Sequence, residues 1–112
     1  MARLSSSVAV SALIRQAEAK GGFAAVLAKG DANAGSILVL LRKSGRETRV
    51  LERLLQASGD YLWQDATPPM TEGEPDIDRF LERRRKHDPD LWLLELDVPS
   101  PERFAAEMND LN

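Results

Sequence analysis

Phe23-Ala24-Ala25-Val26-Leu27-Ala28-Lys29-Gly30-Asp31-Ala32-Asn33-Ala34-Gly35-Ser36-Ile37-Leu38-Val39-Leu40-Leu41-Arg42-Lys43 is the stretch whose reading decides the fold. It holds two apolar runs, residues 23–28 and 37–41, separated by Lys29 and a connector of small and polar residues between two glycines. Neither run is long enough for a buried helix, and each carries β-branched residues, Val26 in the first and Ile37 and Val39 in the second. The pattern predicts two strands paired as a β-hairpin, with Gly30 to Gly35 as its loop.

Working outward, Ser5-Ser6-Ser7 supplies N-caps for a helix over Ser6–Lys20. Val10, Leu13, Ile14 and Ala17 recur at helical spacing on one face, and Gly21-Gly22 stops the helix with residues that tolerate positive φ. Downstream, Lys43-Ser44-Gly45-Arg46 makes a compact turn. Residues 47–57 fit either a helical stripe or an edge strand. The turns on both sides, the second leading into aromatic-rich Tyr61-Leu62-Trp63, favour the strand. Pro68-Pro69 forbids regular structure. A second helix is predicted from Pro75, with Asp76 and Asp78 in its first turn, Arg83 to Lys86 in its last, and Ile77, Phe80 and Leu81 as its buried stripe. Leu91-Trp92-Leu93-Leu94-Glu95-Leu96 is apolar enough to require a strand covered on both faces, inside the sheet. Beyond Val98 the chain reads as a tail that either docks a short helix through Phe104 and Met108 or frays. The expected fold is α+β: a mostly antiparallel sheet of about five strands with two packed helices, order α-β-β-β-β-α-β and a short C-terminal tail, in one domain over residues 1–112.

At 112 residues, 43% hydrophobic and 29% charged, the composition is that of a globular chain able to bury a core. The absence of cysteine excludes a disulfide scaffold, thiolate metal sites and a cysteine nucleophile, and a reducing cytoplasm is the expected setting. No run approaches the roughly 20 apolar residues of a membrane span. Val8 to Ile14 before Ala17-Glu18-Ala19 mimics a signal peptide, but Ser11, Arg15 and Glu18 interrupt it and the same residues make an amphipathic helix.

Four constellations could carry chemistry. The Gly30–Gly35 loop could present amides to an anion, with Asp31 and Asn33 as ligands, although it lacks the glycine spacing and the following Lys and Ser or Thr of a phosphate-binding loop. His87 is the sole histidine and lies among cations at a helix end, where a cation is stabilising on dipole grounds alone. Residues 42–53 hold five cations and two carboxylates, net +3, whereas residues 88–112 hold one cation and seven carboxylates, net −6. With the Arg83-Arg84-Arg85-Lys86 cluster this polarity suits nucleic acid, but no exposed aromatics are interleaved with it. Asp65, Glu95 and Asp97 could meet at strand ends around a divalent cation, though such carboxylates usually just terminate strands. No metal site or cofactor is assigned on this basis.

Residues 3–8, 21–26, 30–39 and 88–95, taken together, resemble a family of small bacterial proteins known only as a domain of unknown function. The resemblance spans nearly the whole chain. It implies a single-domain cytoplasmic protein, supports the strand reading of residues 47–55, and supplies no catalytic residue. The expected function is a non-catalytic binding or protein-interaction module, joining an unknown protein partner or forming a homodimer through an exposed strand edge or apolar patch, with no membrane. The alternative is a divergent or inactive metal-dependent nuclease-like protein with a basic nucleic-acid-facing surface, because the element order is that of PD-(D/E)xK nucleases. Its nearest match is Asp31 with Glu47-Thr48-Arg49, which puts Arg49 where lysine is needed. Asp31, Asn33 and Arg49 are therefore the candidate ligand-binding residues.

Overall fold

The structure, a computed structural model, describes residues 4–69 and 76–111. Helix α1 (Ser6–Ala19) begins where expected: the Ser5 hydroxyl accepts from the Val8 amide. It ends in a Schellman motif, with Gly22 N–H donating to the Ala17 carbonyl and Gly21 N–H to that of Glu18. That closure needs a left-handed residue at Gly21, whose φ is +83°. Strands β1 (Phe23–Ala28), β2 (Ile37–Lys43), β3 (Arg46–Leu55) and β4 (Tyr61–Asp65) follow. Helix α2 (Ile77–His87) is capped by the Asp76 carboxylate on the Arg79 amide; Pro75, expected to start it, lies outside the described residues. Strand β5 (Trp92–Asp97), helix α3 (Pro101–Glu107) and a 3-10 turn (Met108–Leu111) complete the chain. The C-terminal stretch is thus not a tail but a third helix, because Phe104 and Met108, one turn apart, both bury against the sheet.

The five strands lie in the order β1-β5-β2-β3-β4, and this corrects two expectations. β1 and β2 do not form a hairpin: β5 lies between them, antiparallel to β1 and parallel to β2. The sheet is consequently mixed. The physical reason is the run from Leu91 to Leu96, apolar on both faces, which gains cover on both sides and a neighbour at each edge only inside the sheet. A connector from Lys29 to Ser36 spans the roughly 10 Å between strands two apart without strain. The β2–β3 hairpin forms as expected through Ser44-Gly45, whose two amides both donate to the Asp97 carboxylate at 3.0 and 2.8 Å.

Alternation along the central strands builds two cores. Ile37, Val39, Leu41, Leu51, Trp92, Leu94 and Leu96 face α1 and α3, where Leu13, Ala17, Phe104 and Met108 meet them. Leu38, Leu40, Val50, Leu91 and Leu93 face α2, meeting Ile77 and Leu81. β2 is buried on both faces over its first five residues.

Candidate interaction surface

The glycine-bounded connector crosses the head of β5 and acts as a clamp. Asp31 N–H donates to the Asp90 carbonyl at 3.0 Å, and Trp92 returns two bonds: its amide to the Ser36 carbonyl and its indole Nε1–H to that of Asp31, both 2.7 Å. On its other side the loop caps α1, whose first amides have no partner within the helix. Ser7 N–H donates to the Ala32 carbonyl, Ser6 N–H to that of Asn33, and the Ser6 hydroxyl to that of Gly35 at 2.6 Å. The amides that would face an anion point inward instead, Asn33 and Ala34 N–H both donating to the Asp31 carboxylate. Asp31 and Asn33 therefore stand in this loop, next to α1 and the start of β5.

Arg49 stands elsewhere. It pairs with Leu41 near the far end of β2, and its guanidinium reaches Glu102 at 3.2 Å and Asp65 at 4.0 Å. The register sets Glu47 opposite Arg42 and Arg42 opposite Asp97, while Asp31 is bonded to Asp90, seven residues back along the chain. Asp31 and Glu47 are thus on the order of 20 Å apart along the strands, too far to share one ion.

The remaining constellations separate in the same way. Asp65 lies three strands from Glu95 and Asp97, and no group of carboxylates or histidine able to hold a metal ion occurs among the described residues. The Thr67 hydroxyl, 2.6 Å from Asp65, holds that carboxyl below the usual carboxylate range, aided by the Thr67 amide and Arg49. Arg42 pairs with Glu95 at 2.9 Å on the α2 face. Arg53 lies on the other face, 3% exposed, with its guanidinium 3.9 Å from the centre of the Tyr61 ring and donating to the Leu4 carbonyl and the Ser6 hydroxyl. Burial pushes its pKa down from the ordinary arginine value. His87 is exposed at the end of α2, and Arg83, Arg85 and Lys86 are exposed there as well.

Arg84 is the exception in its cluster. It grips Glu52 of β3 with two nitrogens, at 3.1 and 2.5 Å, a bidentate pair that pins α2 to the sheet and raises the arginine pKa. An Arg84→Ala variant leaves the Glu52 carboxylate, 14% exposed, without its partner. The expected loss is about 1–3 kcal/mol in denaturant unfolding, smaller when Glu52→Gln is combined with it.

What the sheet leaves open is its first edge. The outer edge of β4 is closed at its centre, where Trp63 N–H donates to the Asn109 side chain at 2.7 Å. β1 contains no charged residue and no proline, and leaves Phe23 77%, Val26 46% and Leu27 44% exposed. Beside it, between the β1 end and α2, lies an open groove of about 730 Å³, floored by Ala28, Leu91 and Leu93 and walled by Leu81. Its rim carries Lys29, Arg85 and Lys86 together with Asp78, Glu82 and Asp88. Sequence reasoning did not locate this surface, because a hairpin of residues 23–28 with 37–41 leaves open which edge of the first strand is free. The signal available was bulk: three of the six residues are alanine, too small to fill a core on two faces.

No helix among the described residues is long and apolar enough to cross a membrane. Among curated proteins none matches this chain. The chain is similar to a DUF1491 family protein from Caulobacter crescentus CB15 in its crystal structure, with 37% identity, 90% of this chain and 94% of that one covered, and a TM-score of 0.74. The solution structure of a DUF1491 family protein from the same organism matches with 36% identity, coverage of 90% and 91% and the same TM-score. A protein from A. tumefaciens, also solved in solution, matches with 34% identity, 92% of each chain and again 0.74. The family model described as "Protein of unknown function (DUF1491)" matches residues 4–106, and the chain belongs to that family.

Proposed function

We propose that the protein is a single-domain, non-catalytic interaction module of the cytoplasm whose contact surface is the β1 edge with the groove beside it. The observation that carries this reading is the unequal treatment of the two sheet edges. An unpaired strand is a template for another chain, and proteins normally blunt it with charge, proline or a covering element. β4 has a cover at Trp63, although Leu62 stays exposed next to Leu54 and Leu55 of β3; β1 has only an irregularity at Leu27, no cover, and the more exposed Phe23. Exposed apolar side chains along an unpaired edge mark a place where another chain can add. The clamp loop and the paired arginines are accounted for by folding.

The test is a Val26→Lys variant, which puts a charge on the exposed edge while sparing the core. Its thermal midpoint should stay within a few degrees of wild type. Wild type should retain a partner in pull-downs from bacterial extract or associate with itself, and the variant should do neither. A wild type that is monomeric over a wide concentration range, with the same pull-down profile as the variant, overturns the reading.

A further inference from the structure

We infer that the occupant of the β1 edge is a second copy of this chain, joined antiparallel about a two-fold axis at Ala25, with the Phe23 ring of each copy seated over the groove of the other. This rests on the reading of β1 as the interaction surface and names its partner. The derivation is one of register. Residues directly opposite each other in an antiparallel pair share a face of the sheet. Phe23 and Ala25 are opposite Asp97 and Glu95, and Ala28 is opposite Leu93, so all three lie on the α2 side; Ala24 and Val26, opposite Leu96 and Leu94, lie on the α1 side.

A two-fold axis perpendicular to the sheet must match like faces. Centred on Ala25, it places Val26 against the second copy's Ala24, both on the α1 side. The extra residue at Leu27, where the β1–β5 register shifts, then sets the Leu27-Ala28 pair against the second copy's Phe23. Phe23 and Ala28 are both on the α2 side, and Ala28 is part of the groove. The most exposed large apolar side chain in the described structure thus arrives, twice by symmetry, beside the groove lined by Leu81, Leu91 and Leu93. Alanines at the axis and opposite Val26 let the backbones approach without a clash. Two rings and the groove walls they cover remove on the order of 600 Å², and the strand ladder adds to this toward the roughly 1,000 Å² of a specific interface. The contact is isologous and closes at two copies, because Asn109 blocks β4 from extending the ten-stranded sheet.

The chain has no cysteine, so a single introduced thiol reports the axis directly. Antiparallel partners at the axis have Cα atoms about 4.5–5.5 Å apart, within the range a disulfide spans. Light scattering and sedimentation should give twice the chain mass at micromolar concentration. Mild oxidation of an Ala25→Cys variant should yield a covalent dimer, whereas Ala24→Cys and, on the opposite edge, Leu62→Cys should cross-link far less. Phe23→Asp should weaken the dimer by about tenfold or more while circular dichroism shows the fold of the single copy unchanged, since the side chain is exposed there.

A dimer that cross-links best through Leu62→Cys or Ala24→Cys overturns the proposed edge or register. A chain that stays monomeric at 100 µM overturns the second copy as occupant. In that last case the interaction-module reading still stands if wild type, and not Val26→Lys, retains a different protein.

Discussion

A Gly35→Ala variant is expected to lose about 4 kcal/mol or more of stability, at the exceptional end of single substitutions, or to fail to fold. The cause is space rather than backbone angle. A Cβ at Gly35 would drive into the Asp90 carbonyl oxygen and stand 2.9 Å from both the amide nitrogen and the carbonyl oxygen of Asp31. All three obstacles are backbone, and each is fixed by a bond the fold needs. The Asp90 carbonyl accepts from Asp31, the Asp31 carbonyl from Gly35 and Trp92, and the Gly35 carbonyl from Ser6. Moving the loop outward to admit a methyl would break the cap on α1 and the crossing over β5 together. Gly30, which also abuts the Asp90 carbonyl, should behave alike. Gly59→Ala is the control: φ is +93° there but the space is open, so the cost is the left-handed penalty of about 1–2 kcal/mol. Guanidinium unfolding of the three variants separates the cases, and equal losses at Gly35 and Gly59 would remove the clamp from the account.

The same loop shows what the sequence made legible. Its glycines, Asp31 and Asn33 stood out, and so did the caps and apolar stripe of α1 and the interior character of Leu91 to Leu96. These signals are local: a hydroxyl before a helix, a spacing of three and four, a run with no polar face. Strand neighbours are not local. Residues 23–43 are compatible with a hairpin in isolation, and only competition from a segment some fifty residues downstream parts the two strands. That error carried over to the candidate site. A strand paired with residues 37–41 gives no reason to single out Phe23, Val26 and Leu27, and the candidate ligand residues fell in the loop and at Arg49 instead. The third helix was half visible, since Phe104 and Met108 are four apart. What decided it was the cover that the sheet offers them, which no window of sequence contains.

Trp92→Ala should cost about 4 kcal/mol, and Trp92→Phe about 1–2 kcal/mol, because the side chain does two separable things. Its rings, 5% exposed, fill the core between β5, β2 and α1, and truncation leaves a cavity that rigid strands on either side cannot close. Its indole Nε1–H also holds the Asp31 carbonyl at 2.7 Å, a bond phenylalanine cannot make. The Phe variant therefore keeps most of the packing and releases the loop. Hydrogen exchange reads that release at a distance: Ser6 and Ser7 amides, which donate to Asn33 and Ala32 of the same loop, should exchange faster in Trp92→Phe while β2 amides keep their protection. Ser6→Ala removes the other anchor, the 2.6 Å bond to the Gly35 carbonyl. If loop, helix and strand form one unit, combining Ser6→Ala with Trp92→Phe should cost less than the separate losses added together, by about 0.5 kcal/mol or more, because either change alone already frees the loop. Strict additivity would mean that the head of β5 and the start of α1 are secured independently, and that the loop links them only in space.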